Sequence, residues 1–559
     1  MRWGKYESIP EVSLPEDRRK VSPRQREWQG SNAGNRIGGL LLCYSLMFVT
    51  LLVMSLAAQD RVPGCAKARP HLTSARTASD ANDSVTALKE LNEAVQVAPQ
   101  CAEAYLQLGV TEFRSGATAD SIQHYQKALL LQPRSYSGHY NLALAYLRQQ
   151  KLEEARSHLE EAVRLDPSQA DAVYNLGIVL GELRRPAEAL VRFQRARALS
   201  SKRPDVTFNI VRAELETGKV LAARAEAEDS ANQFGSDPQW CAAMGQLFLQ
   251  KDHPEDAVPY LERALRSRPD LPELRHQLAV AYLQSGKADE VLLTIAQAKT
   301  SDDYYLRASA YYLSHRFPEA DAESAVALDL APDSPQVLVL RTRVLQRAGN
   351  QDEALKMAQK AITLAPNWDQ PYYLAGVSSY LLRLYEEAAK DLAKALELNP
   401  KSARALFVRY IALANLGELD DAESSLRRAI ALQPQNARLY CHLGILLERR
   451  GNSAEAVRLF KKAIQLRPEY ALSYYELGKL LATSNSLRSA ATQFEQAIKY
   501  DAGLSAAYYQ LGRIYTKLGE PEKSEHMLAE FKRLHKQDLE DPRDDQTHED
   551  DARKETELQ

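Results

Sequence analysis

A chain of 559 residues with 71 basic and 74 acidic side chains has a formal net charge of −3 and lacks the basic excess of a general nucleic-acid binder. Its 24 glycines and 25 prolines together fall short of the ~12 % usual for these residues, too little turn chemistry for a sandwich or a barrel. Hydrophobic residues at 45 % and charged residues at 26 % exclude wholesale disorder, and five cysteines in this length exclude a disulfide scaffold.

Residues 1–36 carry Pro, Ser, Arg and Glu without apolar periodicity and read as a disordered arm. Residues 37–58 are 22 in a row without a charge, IGGLLLCYSLMFVTLLVMSLAA, enough to cross a hydrocarbon core as one transmembrane helix. Six Lys or Arg in residues 17–36 against four in residues 59–78 bias the N-terminus toward the cytoplasm. The chain from residue 59 onward would then lie on the outer, periplasmic side, as in a bacterial envelope. The rival is a cleaved signal, with Ser55-Leu56-Ala57 as the small-residue site and a secreted or periplasmic product. A 36-residue lead and a 22-residue apolar run are both long for such a signal. Cys65 after Val62-Pro63-Gly64 faintly resembles a lipoprotein acylation box, against which stand Asp60, Arg61 and the proline. Residues 59–83 read as a linker.

Beyond the linker an internal period dominates. Prolines fall at Pro99, Pro133 and Pro167 and again at Pro332, Pro366, Pro400, Pro434 and Pro468, each step within a series being 34 residues. From Pro269 to Pro332 is 63, so one unit, residues 272–300, has lost five. With the proline at position 32, the unit 437–470 has Tyr440 at 4, Leu443 at 7, Gly444 at 8, Leu447 at 11, Gly451 at 15, Ala456 at 20, Phe460 at 24 and Ala463 at 27. Gly109, Gly177, Gly478 and Gly512 repeat the glycine of position 8. Positions 4, 7, 8 and 11 share one helical face, as do 20, 24 and 27. Glycine at 15 can end a helix in a left-handed turn, and the proline closes the second helix. Small residues at 8, 20 and 27 let helices approach closely. One such hairpin cannot bury its own apolar face, so units must stack.

This pattern resembles the tetratricopeptide repeat family over residues 102 to about 535, thirteen units, with a half-unit before them (Ala87, Leu91, Ala94, Pro99). The resemblance implies an all-α, right-handed superhelical solenoid of about thirteen helix pairs with an inner groove lined by first helices. Two blocks, 84–300 and 301–535, should meet at a bend near the shortened unit. The unit 204–237 is degenerate, with Val211 at 8 and Ala227 at 24, and its stacking should be irregular.

In this family the groove usually binds extended peptide segments of other proteins. Position 5 lies on that side and is aromatic in eight of thirteen units, as Tyr140, Tyr174, Phe208, Tyr305, Tyr373, Phe407, Tyr475 and Tyr509. Position 6 carries amides in a row, among them Asn141, Asn175 and Asn209. Amides can hydrogen-bond a peptide backbone, and rings add apolar contact. The same residues also serve this family as framework, packed against the next unit. Position 5 has no Lys or Arg and position 9 no Asn, which disfavours the basic clamp of chaperone-binding members.

No catalytic or metal-binding constellation stands out. The eleven histidines form no HxH or HExxH pair, and there is no GxSxG, Walker loop or GxGxxG. Glu153-Glu154 and Glu160-Glu161 fall on an exposed helix face, and Cys43, Cys241 and Cys441 read as apolar packing. Residues 536–559, with ten acidic against four basic residues, read as a disordered acidic tail. The expectation is a non-enzymatic scaffold without cofactor, metal or nucleic-acid partner, anchored to a membrane. The alternatives are a substrate-recruiting subunit of an enzyme complex (a glycosyltransferase or a secretion or assembly machine) and the same array exported after cleavage.

Overall fold

The computed structural model describes residues 64–540. The arm 1–36, the apolar run 37–58 and the tail beyond residue 540 lie outside the described residues. Those described form twenty-eight helices and no strand, arranged as fourteen consecutive antiparallel pairs. First helices are mostly 13 residues and second helices mostly 14, as in Ala437–Arg449 and Ser453–Leu466.

Each pair closes through the same turn. Position 15 is left-handed in all fourteen, at Gly451 (φ 81°), Gly417 (φ 83°) and Gly519 (φ 76°), but also at Gln150, Arg184, Asp252, His315, Arg383 and Asn485. The conformation lets the next amide bond back five residues, as from Lys151 N to Tyr146 O at 3.0 Å and Asn452 N to Leu447 O at 2.8 Å, which satisfies carbonyls at the helix end. Glycine adopts this turn without cost; the other side chains hold it because the pair packed on either side leaves no other path. Second helices end two residues before Pro133, Pro167, Pro366, Pro400, Pro434 and Pro468. The unit with Ala502 in that place stops at the equivalent residue, Tyr500, so the proline reinforces an end that packing already sets.

Within a pair, the flat face at position 8 receives the bulky side chain at position 24. A Cβ built on Gly444 would stand 2.6 Å from Phe460, on Gly177 2.6 Å from Phe193, on Gly109 2.7 Å from Tyr125, and on Gly478 and Gly512 2.8 Å from Phe494 and Leu528. Phe193, Phe460, Phe494, Ala456 and Ala463 are wholly buried. In the unit 204–237 the bulk changes sides: Val211 occupies 8, Ala227 occupies 24, and both are fully buried. The exchange conserves volume, so the two helices of this unit still pair and its first helix is buried from Val206 to Leu215. Its second helix, Val220–Phe234, meets the following helix, Pro238–Gln250, over much less of its length than other consecutive helices of the first unit do.

One correction concerns the start of the array. Residues 69–80, read as linker, form a helix that pairs with Ser84–Val97, so the half-unit is a complete hairpin. The buried side chains of that first helix are only Leu72, Ala75 and Ala78, too small to give a visible apolar pattern. Cys65 and Cys101 form a disulfide across this hairpin, and neither is an acylation site or an isolated thiol. Closing a loop of sequence separation 36 by this bond restricts the unfolded chain by about 3–4 kcal/mol. Cys241 and Cys441 are free and buried.

The chain divides into two compact units between Ile295 and Ala296. The shortened repeat ends the first: its second helix, Ala288–Thr294, has 7 residues. The second opens on a capping box in which Thr300 and Asp303 satisfy each other's amides before the helix Ser301–Leu313. The last helix runs from Pro521 to Glu540, taking in five residues assigned by sequence to the tail. Within each unit, several first helices touch the first helix of a neighbouring pair, as Asp369–Leu381 touches Pro335–Arg347 and Ala403–Leu416, whereas second helices make no comparable mutual contact. The first helices therefore form the inner side of each stack.

Gly444→Ala should lower stability by about 1–3 kcal/mol, because Phe460 must move to admit the methyl group. Urea denaturation followed by circular dichroism measures this, and an unchanged midpoint would contradict the packing described.

Candidate functional site: the face of the first helices

The position-5 rings do not share one environment. In the first unit the Asn175 amide donates to the Tyr140 hydroxyl at 3.0 Å, and the Asn209 amide donates to the Tyr174 hydroxyl at 3.0 Å. Each bond joins residues 35 apart, position 5 of one repeat to position 6 of the next. Asn209 also donates to the Asp205 carbonyl at 3.0 Å, and Asn141 to that of Ser137 at 2.8 Å on its own helix. Tyr475 is hydrogen-bonded in the same register to Gln510 in the second unit. The amide row thus ties repeat to repeat.

Burial sorts the rings further. Tyr174, Phe208 and Phe407 are buried, as is Asn209, so packing is their role in this structure. Arg203 covers the Tyr174 ring at 4.6 Å and Arg438 the Phe407 ring at 4.7 Å, while His442 meets Phe407 edge-on at 5.0 Å between centroids. Tyr140, Tyr305, Tyr373 and Tyr475 are half-buried, and Tyr509 is 39 % exposed. Tyr475 leans on Phe494 and Tyr509 on Phe531, so both rings are held in place from behind.

Tyr373 departs from the ladder. The residue 35 positions on is Val408, whose side chain has no donor or acceptor to offer, and the Tyr373 hydroxyl is buried without a hydrogen-bond partner. Burial pushes its pKa up to about 12, against the pull of Arg404, Arg343 and Arg438. These arginines occupy position 2 (Arg404, Arg438) and position 9 (Arg343) of three first helices. Positions 2 and 9, followed down the repeats like 5 and 6, are the signal by which the sequence could have pointed to them. In the first unit, by contrast, the position-9 arginine, Arg212, lies under the influence of Glu216 and Glu182, and Glu216 also pairs with Lys251 at 2.8 Å.

Other polar clusters have structural explanations. Glu153 and Glu160 flank Arg156 at 2.8 and 2.7 Å, and Glu161 pairs with Arg164 at 2.5 Å, all on a solvated helix face. His71 Nδ1 lies 2.9 Å from Glu90 and 3.3 Å from Glu93, a trio that could hold a metal ion and that links the first two helices by hydrogen bonding. Among the described residues no helix is long and apolar enough to cross a membrane.

Taken together these features define a helical-repeat interaction scaffold, a stack whose inner face presents side chains in register. A tetratricopeptide repeat family model matches residues 72–139, 174–238, 373–437, 407–471 and 475–530, more than half of the chain. Further models of the same repeat match 145–183, 248–310 and 124–157. The chain belongs to the tetratricopeptide repeat family. No curated protein sequence matches it. Among solved structures it is similar to the APC/C hetero-tetramer Cut9–Hcn1 (13 % identity, TM-score 0.39, 83 % of this chain and 98 % of that one). It is also similar to YrrB, described as a TPR protein with an unusual peptide-binding site (23 % identity, TM-score 0.30, 33 % and 94 %). A third similarity is to the human IFIT1 dimer with m7Gppp-AAAA (15 % identity, TM-score 0.37, 66 % and 90 %).

Asn209→Ala removes the donor to a buried tyrosine hydroxyl and should destabilise the first unit by about 1–3 kcal/mol. Asn141→Ala, which removes only a bond within its own helix, should change stability by less than about 0.5 kcal/mol. Hydrogen exchange across residues 170–216 measures the difference.

Proposed function

We propose that this chain is a non-enzymatic scaffold that holds extended segments of other proteins along the face of its first helices, anchored by residues 37–58 with the repeats on the outer side of a membrane. The observation that carries the binding reading is the division of labour on that face. Some rings are locked into the framework, whereas Tyr305, Tyr475 and Tyr509 keep part of their surface toward solvent while being held from behind. Rigid, partly exposed tyrosines lose little entropy on binding and offer both apolar area and a hydroxyl.

Placement outside the cytoplasm is supported by the Cys65–Cys101 disulfide, a bond that persists in oxidising compartments and is rare where thiols are kept reduced. It follows the uncharged run by only a few residues, as expected if that run is the crossing point.

Replacing Tyr475 and Tyr509 together with Ala should weaken capture of partner proteins about tenfold with helicity unchanged. Capture equal to wild type would leave these rings as framework. On fractionation the intact chain should stay with membranes, with Cys65 and Cys101 protected from alkylation. A mature chain starting near residue 58 would overturn the anchor, and free thiols at both positions would overturn the outer placement.

A further inference from the structure

We propose that the opening hairpin carries a site for Zn2+ or a late first-row neighbour, with the His71 imidazole and the Glu90 and Glu93 carboxylates as its ligands. The donors come from two helices. His71 stands on Arg69–Asp80, and Glu90 and Glu93, spaced i and i+3 and so on one face, stand on Ser84–Val97. His71 Nδ1 lies 2.9 Å from Glu90 Oε2 and 3.3 Å from Glu93 Oε2, and the three donor atoms fall within 4.8 Å of one another. In a tetrahedral zinc site with bonds of about 2.0–2.1 Å, neighbouring ligand atoms stand about 3.3 Å apart. The trio is already near that spacing. Two glutamates alone would be an ordinary solvated helix face; the imidazole nitrogen that the other helix brings within reach of both makes them a ligand set.

The donors also select the cation. An ionised carboxylate only accepts hydrogen bonds, so the hydrogen in the His71–Glu90 contact belongs to Nδ1. A divalent cation takes the place of that hydrogen, which passes to water, and meets two anionic oxygens and one neutral nitrogen. Imidazole suits zinc and its neighbours, whereas calcium and magnesium take oxygen ligands. All three side chains keep some exposure, which leaves a side open for water to complete four-coordination.

The ligands lie where the array has least apolar support. Leu72 and Ala75 of the first helix pack with Leu91 and Ala94 of the second, which holds the two backbones in register behind the trio. The Cys65–Cys101 bond closes the same hairpin outside the ligands, before His71 and after Glu93. A cation bridging the two helices adds a second cross-link, and its binding free energy becomes stability of the hairpin. His71 and Glu90 are 19 residues apart, so no short spacing of the HxH or HExxH kind reveals them.

The test uses the full chain with its disulfide intact, stripped with EDTA, and Zn2+ itself as the probe. Calorimetric titration should show a zinc site of micromolar affinity, and hydrogen exchange over residues 69–97 should slow when zinc is added. H71Q combined with E90Q should weaken that site at least about tenfold and abolish the slowing. E93Q gives up only the longer contact, from the most exposed of the three side chains. It should weaken zinc binding a few-fold with helicity unchanged, which keeps the proposal testable if the double variant loosens the hairpin. Co2+ in place of Zn2+ should give the visible absorption of a four-coordinate site with nitrogen and oxygen ligands, and H71Q should lose it. Wild-type zinc affinity in either variant, or zinc bound without slower exchange in residues 69–97, would overturn the proposal. Calcium competing as effectively as cobalt would overturn the choice of cation. Loss of the zinc site on deleting residues 541–559 would place it in that acidic segment and overturn the assignment to the hairpin.

Discussion

No hairpin in this chain can bury its own apolar face, and every other property of the array depends on that constraint. The clearest expression is the contact between a position without a side chain and the large ring opposite, Gly444 against Phe460 or Gly177 against Phe193. It sets the distance between the two helices of a pair and hence the surface left for the next pair. Where the pattern is broken in the unit 204–237, Val211 and Ala227 exchange sizes and both remain fully buried. Volume is conserved even where the motif is not, because a densely packed interior responds to volume rather than to residue identity.

The same economy governs the polar groups. A hydroxyl inside the stack needs a partner, and the next repeat supplies one at a fixed offset, which makes the Tyr140–Asn175 and Tyr174–Asn209 bonds part of the framework rather than of a binding surface. Residues that look alike in the repeat therefore differ in availability. Phe407 is wholly buried, yet Tyr509 at the equivalent position is 39 % exposed. The rings are covered differently: arginine and histidine from the following repeat over Phe407, and Phe531 of the last helix with Arg513 of its own helix at Tyr509.

Ends and breaks are managed by separate means. The first hairpin has little apolar surface of its own and is fastened by Cys65–Cys101. The break between Ile295 and Ala296 falls where the second helix of a repeat is cut to 7 residues, and the chain restarts on a capping box that needs no preceding helix. Stacks of this kind gain most of their stability from neighbours, so a terminal repeat or an interrupted one must find support elsewhere.

The amino-acid sequence by itself determined the repeat, the pairing of helices, the left-handed turn at position 15 where that residue is glycine, and the close approach at position 8. All four rest on residue types at short, fixed spacing within one repeat. The first helix of the opening hairpin was not legible, because Leu72, Ala75 and Ala78 make too small an apolar face to show a period, and neither was the partner of Cys65, which lies 36 residues away. Among the candidate rings, only the tertiary structure decided which are framework and which face outward, and only it left the Tyr373 hydroxyl buried without a hydrogen-bond partner. The reason is physical: whether a polar group is satisfied, or a ring covered, depends on side chains contributed by neighbouring repeats, and the pattern within one repeat is silent about them.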